Sequence, residues 1–243
     1  MPESSHFGGH ETPPQPRVDF KSVLEKGEIA GMRALEGHER YDVVEIKDDG
    51  KALFREELNE PKKEEPVVDR RQFIRSDLEL LASKIDEALG FNLVPTIVKR
   101  TLNGRNGTLQ RFVDNAIIAE NLRGDWFKMV DNLEIIKAAV FDYLIDAKDR
   151  GGSNFLVDRN ARKIWLIDHD HPMLISWDFG SDILRRAIAE GLIELQDDIR
   201  KAVENLLVKI DSIVAQDAKP EVRLIAGDIK RRAENLIATG TLA

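Results

Sequence analysis

The sequence predicts an α+β protein, a small antiparallel β region carrying one helix followed by a mainly helical region, as one large domain or as an upper and a lower lobe sharing a cleft. Three observations predict it. Short apolar stretches broken by a strong turn signal fill residues 29–55. Apolar residues recur at helical spacing over 72–89 and through most of 126–237. Between the lower-lobe helices sits one hairpin, Phe155–Asp158 and Lys163–Ile167 around the polar turn Arg159-Asn160-Ala161-Arg162.

Residues 1–18, with Gly8-Gly9, Pro13-Pro14 and Pro16, read as a disordered tail in which His6 and His10 are solvated. The tail has no apolar core and so is not a secretory signal. The upper lobe is expected over 19–113. Ile29–Glu36 and Tyr41–Ile46 read as strands, Asp48-Asp49-Gly50 as a turn and Ala52–Arg55 as the returning strand. Glu56–Arg71, with Pro61, Pro66 and many charges, reads as an exposed loop. Leu78, Leu81, Ile85 and Leu89 mark one face of a helix over 72–89. Leu109–Val113 is expected as the strand at the back of the cleft between the lobes. The lower lobe is expected over 114–243. Trp126, Val130, Leu133, Ile136, Val140, Tyr143 and Leu144 form the apolar stripe of one long helix. Three more helices follow over Ile183–Ile193, Ile199–Val214 and Val222–Ile237. Leu206, Ile210 and Ile213 mark the buried face of the second, and Asp211 and Asp217 stand at solvent-facing ends.

Composition bounds the function. The 243 residues are 42% hydrophobic and 33% charged, enough apolar residue for a core. No run approaches the roughly 20 apolar residues of a membrane span. There is no cysteine, which excludes disulfides, thiolate metal sites and a cysteine nucleophile, and together with the missing signal fits the cytoplasm. A net charge of −8 argues against general nucleic-acid binding, which needs a basic face.

The chemistry concentrates in Asp149-Arg150-Gly151-Gly152-Ser153-Asn154 and Ile167-Asp168. Folding the hairpin about its turn sets position 154 opposite 167, so Asn154 and Asp168 emerge together at its open end with Asp149 in the loop before. One amide oxygen and one carboxylate suit a hard cation such as Mg2+ that keeps several waters and binds phosphates. A further carboxylate, Asp149, can orient an attacking hydroxyl or take its proton. This is the spacing with which a kinase-type fold holds magnesium-nucleotide. An EF-hand over Asp146–Asp158 is excluded, because Lys148 and Arg150 stand where oxygen ligands belong. His169-Asp170-His171 is a conceivable transition-metal cluster, but it has too few partners and runs into Pro172.

Asp-Arg-x-x-x-Asn followed by Ile-Asp resembles the Asp-Arg-His-x-x-Asn and Ile-Asp-Phe/His-Gly motifs of the phosphatidylinositol 3- and 4-kinase-related proteins, especially their small bacterial members. Phe141–Ile145 leads into the loop as that family's helix does. Leu89-Gly90 through Val94-Pro95 is similar to its Leu-Gly-x-x-x-Val-Pro segment, and Gly107–Val113 to its Gly-Ser-x-Gln-x-Trp/Phe-Val strand. The resemblance covers residues 40–180. It implies a two-lobed protein-kinase-like fold and ATP- and Mg-dependent phosphoryl transfer to a hydroxyl of a protein, lipid or small molecule. It further implies Asp149 as catalytic base or orienting carboxylate, with Asn154 and Asp168 as metal ligands. Gln110 and Phe112 would line the nucleotide site, with packing as the plainer role for Phe112. A strand Lys paired with a helix Glu would hold the phosphates. Counting back from Leu89-Gly90, the Glu is Glu79, and the strand partner is Arg55, with Lys51 four positions earlier as a substitute.

Three departures stand out. Arg replaces Lys at position 55, Gly151 stands where the family has His, and the phosphate-covering turn near Leu35-Glu36-Gly37-His38-Glu39 is acidic with a single Gly. They keep two other readings open: a degenerate kinase-like module that binds a nucleotide or a partner, and nucleotidyl transfer on the same fold. A plain structural domain with an accidental Asp-Asn-Asp spacing is the remaining alternative.

Overall fold

The computed structural model describes residues 19–36, 38–48, 50–57, 75–169, 180–215 and 219–242. The expectations for the tail 1–18, most of the charged loop, the first turn of the 72–89 helix, Gly37, Asp49, Asp170, His171 and Asp217 lie outside the described residues.

The chain opens with a helix that the sequence reading left unassigned, α1 (Phe20–Lys26). Asp19 caps it, its carboxylate accepting from Lys21 N at 3.2 Å and Ser22 N at 3.3 Å. Leu24 is its one fully buried residue, too little for a visible period. A five-stranded antiparallel sheet follows, formed by β1 (Ile29–Leu35), β2 (His38–Ile46), β3 (Gly50–Glu56), β4 (Ile97–Leu102) and β5 (Arg105–Arg111), in spatial order β1-β2-β3-β5-β4. The first three strands are the expected meander. The β4 strand is an addition to the expected set. It is joined to β5 through Asn103-Gly104, both at positive φ, the geometry of a tight hairpin turn. Gly107 is required where β5 crosses β3, since a Cβ there would stand 2.2 Å from Arg55 O. Leu24, Val44, Ile46, Ala52, Phe54, Val98, Leu102 and Leu109 bury against one another as the core of this lobe.

Between β3 and β4 runs α2 (Arg75–Leu89). Its buried residues Leu78, Leu81, Ala82, Ile85 and Leu89 belong to the larger core of the lower lobe, not to the core of the sheet. Asp77 ties the parts together, lying 2.7 Å from Lys99 Nζ on β4 and 2.5 Å from Lys219 Nζ. Burial would raise its pKa, but the two lysines outweigh that and hold it below the usual carboxylate value.

The long helix expected from Trp126 to Leu144 is two pieces. A single 3-10 turn spans Trp126–Met129, Val130 is extended, and α3 runs Asn132–Ile145. The break is held by the hairpin turn. Arg162 Nε donates to Asp131 Oδ1 at 2.6 Å and Asp131 N donates to Arg162 O at 3.2 Å. Leu133, counted in the stripe, is exposed in consequence. Ile135, Ile136, Ala138, Ala139, Val140, Phe141, Leu144 and Ile145 are all buried, so α3 is surrounded by protein.

The lower-lobe hairpin is β8 (Phe155–Asp158) and β9 (Lys163–Leu166), with β6 (Ile117–Ile118) on the other side of β8. Asp158 Oδ1 accepts from Asn160 N and Ala161 N, both at 3.0 Å, and shapes the turn. Two short strands, β7 (Asp149–Arg150) and β10 (Gly180–Ser181), pair in parallel. The remaining helices are α4 (Asp182–Ala189), α5 (Asp197–Ala215) and α6 (Pro220–Thr239). The first is shorter than expected, ending before Ile193, and the other two match their expected spans within a few residues. Leu206 and Ile210 are fully buried on α5, and Asp211 is exposed. No helix among the described residues is long and apolar enough to cross a membrane.

Candidate active site

The register of β8 and β9 pairs Phe155 with Leu166. Ile167 N donates to Asn154 O at 3.1 Å, so Asn154 and Asp168 leave the hairpin side by side. Asn154 Nδ2 donates to Asp149 O at 2.5 Å, and Ser153 Oγ donates to Asn154 Oδ1 at 3.2 Å. The amide N–H group is committed to the loop, which leaves the amide oxygen with a lone pair for a cation. Asp168 sits at φ 55°, in the left-handed region that Asp tolerates better than most side chains. Asp149 lies on β7 with its side chain exposed, backed by Gly180 in the parallel pairing.

The upper-lobe pair comes to the same place. Arg55 Nη1 lies 3.4 Å from Glu79 Oε1 and 3.7 Å from Asp168 Oδ1. The guanidinium also lies 5.2 Å from the centre of the Tyr41 ring. Lys51, the alternative strand cation, remains exposed. Glu79 holds the residue after Asp168 as well. It accepts from His169 N at 2.8 Å, and His169 Nδ1 stands 3.2 Å from its other oxygen. Burial pushes the His169 pKa down, and the nearby Arg150 adds to that against the pull of Glu79. The lowered pKa favours the uncharged ring, and the imidazole packs edge-on against Phe141 at 5.8 Å. Among the described residues Nε2 has no hydrogen-bond partner. His169 thus supports Glu79 and Asp168, and among the described residues no group of three or more His, Asp or Glu side chains is placed to hold a metal ion.

Gln110 is half-buried on β5, and its Nε2 is buried with no hydrogen-bond partner among the described residues. Phe112 lies just past the end of β5, and its N–H already donates to Lys51 O at 3.0 Å.

The Leu89–Pro95 segment has a structural purpose. Gly90 and Asn92 take positive φ, Val94 N donates to Asp86 Oδ2 at 2.9 Å, and Leu166 N donates to Leu93 O at 2.8 Å. The segment thereby fixes β9 against the end of α2. Burial raises the Asp86 pKa to about 6 despite the backbone N–H groups of Val94 and Leu93.

Sequence reasoning missed the supports beneath the site. Arg150 Nε donates to Asp142 Oδ1 at 3.1 Å, and Arg150 Nη1 donates to Asn154 O at 2.7 Å and Ile167 O at 2.5 Å. Ser181 Oγ donates to Asp142 Oδ2 at 2.6 Å. One signal was present: Asp142 is the only charged residue in the buried run Ala138–Ile145.

The same arrangement of sheet, helix, hairpin and helical lobe occurs in solved kinases. The Golgi casein kinase structure with Mn/ADP bound matches at 16% identity and a TM-score of 0.56, over 90% of this chain and 74% of that one. The structure of hydra Fam20 with sugar matches at 12% identity and a TM-score of 0.58, over 90% and 87%. The chain has a kinase-like fold. The Helicobacter pylori proinflammatory kinase CtkA shares this fold too, at 12% identity and a TM-score of 0.51, over 90% of this chain and 94% of that one. No family model matches the kinase-like chain, and no curated protein sequence matches it.

Proposed function

We propose that this protein transfers the terminal phosphoryl group of ATP, with magnesium, to a hydroxyl acceptor, in the manner of the phosphatidylinositol 3- and 4-kinase-related proteins. The observation that carries the reading is the convergence around Asp168. Arg55 reaches it from the sheet, Glu79 on α2 pairs with Arg55 and accepts from His169 N next in the chain, and Asn154 emerges beside it from the hairpin. Residues 19–113 would hold the nucleotide, and residues 114–243 would supply the catalytic loop and the metal ligands.

Asn154 Oδ1 and the Asp168 carboxylate are hard oxygen donors and fit a magnesium ion that keeps several waters. When bound, such an ion would supply positive charge that offsets the charge developing on the phosphates. Asp149, exposed on β7, orients the acceptor hydroxyl or takes its proton. Arg55 offers its guanidinium to the phosphates while Glu79 keeps it in place. Gln110 and Phe112 line the base end of the site. Binding of Mn/ADP by the Golgi casein kinase, a protein of the same fold, supports nucleotide and divalent-cation use.

The test is thermal unfolding with ATP, with magnesium and with both, alongside turnover measurements. A ligand at 100 times its dissociation constant stabilises the folded state by about 2.7 kcal/mol. The shift should require ATP and magnesium together and vanish in Asp168→Ala. Asp149→Asn should bind normally and fail to turn over. Normal magnesium-ATP binding by Asp168→Ala would overturn the site assignment.

One observation favours a second reading. The Arg55 guanidinium already lies 3.7 Å from the carboxylate assigned to the metal. A binding module that holds a nucleotide without transferring phosphate would tolerate that contact. It would give the thermal shift with no product.

A further inference from the structure

The structure assigns Ser181 a positioning role: acting through Asp142 and Arg150, its hydroxyl sets the separation of Asn154 and Asp168. The inference rests on the reading of those two residues as the cation's ligands.

The argument runs outward from the two carbonyls that Arg150 grips. One belongs to Asn154 itself, and the other to Ile167, directly before Asp168. A single guanidinium nitrogen therefore bridges the two strand ends that carry the ligands. A guanidinium is planar, so fixing another of its nitrogens fixes the direction of Nη1. Asp142 does this by accepting from Nε. Asp142 is itself steered, because its second oxygen accepts from Ser181 Oγ. The hydroxyl has one proton and no freedom to send it elsewhere, since its oxygen accepts from Leu184 N at 3.0 Å as the cap of α4. Parallel pairing of β10 with β7 sets Ser181 beside Arg150. Asp142 and Arg150 are 1% and 2% exposed, so water does not replace a lost partner freely.

Without the hydroxyl, one oxygen of a buried carboxylate loses its donor. The carboxylate can then rotate, and the guanidinium rotates with it. The Asn154–Asp168 separation drifts while the ligands themselves are intact. Groups that orient metal ligands from behind change metal affinity by about 10–100-fold when removed.

Ser181→Ala and Ser181→Thr test this in the full chain. The first measurement is a magnesium titration at fixed ATP, read by thermal shift. The second is amide hydrogen exchange by NMR on the protein without nucleotide. Ser181→Ala should raise the magnesium requirement at least about tenfold while metal-free ATP binding is unchanged. It should also speed exchange at the amides of Asn154 and Ile167, and Ser181→Thr should restore both. Faster exchange confined to Leu184 and its neighbours in α4, with an unchanged magnesium requirement, would mean that Ser181 only caps its helix and would overturn the proposal. If wild-type protein shows no magnesium-ATP effect, the proposed function fails. The exchange arm then decides the positioning claim alone. Should Ser181→Ala not yield folded protein, Ser181→Cys, which keeps the size but offers only a weak donor, goes through the same two measurements with the same expected results.

Discussion

On the lower side of the cleft, Asn154 and Asp168 are held through their main chains; on the upper side, Arg55 and Glu79 meet through side chains. The lower arrangement consists of short hydrogen bonds onto buried carbonyls, from Arg150 to Asn154 O and Ile167 O. Among the described residues the upper one includes contacts of the Arg55 guanidinium at 3.4 Å to Glu79 and 3.7 Å to Asp168. Distances near 2.7 Å between charged and polar groups admit little displacement, whereas contacts beyond 3.3 Å can lengthen or shorten at small cost. Glu79 belongs with the lower side despite its place in the chain. Its helix buries its apolar face in the lower-lobe core, and its carboxylate accepts from His169 N. The adjustable partner is Arg55, carried by a sheet with a core of its own. The fold joins a rigid unit, made of the lower lobe and α2, to a sheet that reaches it through Arg55 and through Lys99, whose Nζ lies 2.7 Å from Asp77 on α2.

The largest effect should come from breaking the rigid side. Asp142→Ala leaves Arg150 buried without its carboxylate. Removing one partner of a buried ion pair costs about 3–5 kcal/mol. Urea unfolding should show that loss as a lower midpoint with an unchanged slope. A loss under about 1 kcal/mol would mean that water or another group takes over the guanidinium, and the contrast between the two sides would weaken.

A second strain on the rigid side is pH. Asp86 has a folded-state pKa of about 6 against 3.8 for the free side chain. Between those values the folded protein holds a proton that the unfolded chain has released. The folded state therefore binds more protons, and stability falls as pH rises from about 4 to about 6, by up to about 3 kcal/mol. Asp86→Asn should flatten that fall, because the amide oxygen still accepts from Val94 N and nothing titrates. Unfolding free energy measured at several pH values gives the slope directly. Equal slopes in both proteins would remove Asp86 as its cause.

How much of this was legible in the sequence follows the same division. The hairpin could be read because its turn, its two strands and the flanking Asn154 and Asp168 are contiguous, so spacing alone sets Asn154 against Ile167. Arg55 and Glu79 were reachable by counting along the chain from Leu89-Gly90. Asp142 and Ser181 were not, being partners 39 positions apart that meet only when β10 pairs with β7. The division of the expected long helix at Val130-Asp131 depends on Arg162, which the hairpin delivers from outside the apolar pattern. The β4 strand was missed although Asn103-Gly104 is a strong hairpin signal, because Lys99 and Arg100 interrupt its apolar alternation. Those charges have distant partners: Lys99 reaches Asp77, and Arg100 donates to Leu24 O and Gly27 O, both at 2.7 Å.

The adjustable side can also be strained from within its own sheet, at the backbone that carries Arg55. Gly107→Ala places a Cβ against Arg55 O and the Phe54 ring. Overpacking of this kind costs about 1–3 kcal/mol. If the sheet is a unit distinct from the rest, hydrogen exchange should accelerate in β3 and β5 while α5 and α6 stay protected. Uniform acceleration through both would show that the two cores unfold as one.

The smallest effect expected is that of Arg55→Lys, and it separates the readings of the upper side. Lysine keeps the charge but replaces a planar fork by a single point, so it cannot face Glu79 and Asp168 in the same geometry. Because lysine keeps the charge in a pair that is only 14% and 7% exposed, the stability loss should fall well below the roughly 3–5 kcal/mol of a buried pair that loses one partner. Its effect on magnesium-ATP affinity should be under about tenfold, or roughly 1.4 kcal/mol. Arg55→Met, which removes the charge, should weaken nucleotide binding much further if the guanidinium holds phosphates. If Arg55→Met instead binds magnesium-ATP more tightly than wild type, the guanidinium competes with the cation for Asp168. The contact at 3.7 Å would then mark a site turned away from phosphoryl transfer. Isothermal titration of the two variants against magnesium-ATP distinguishes these outcomes, because they move the dissociation constant in opposite directions.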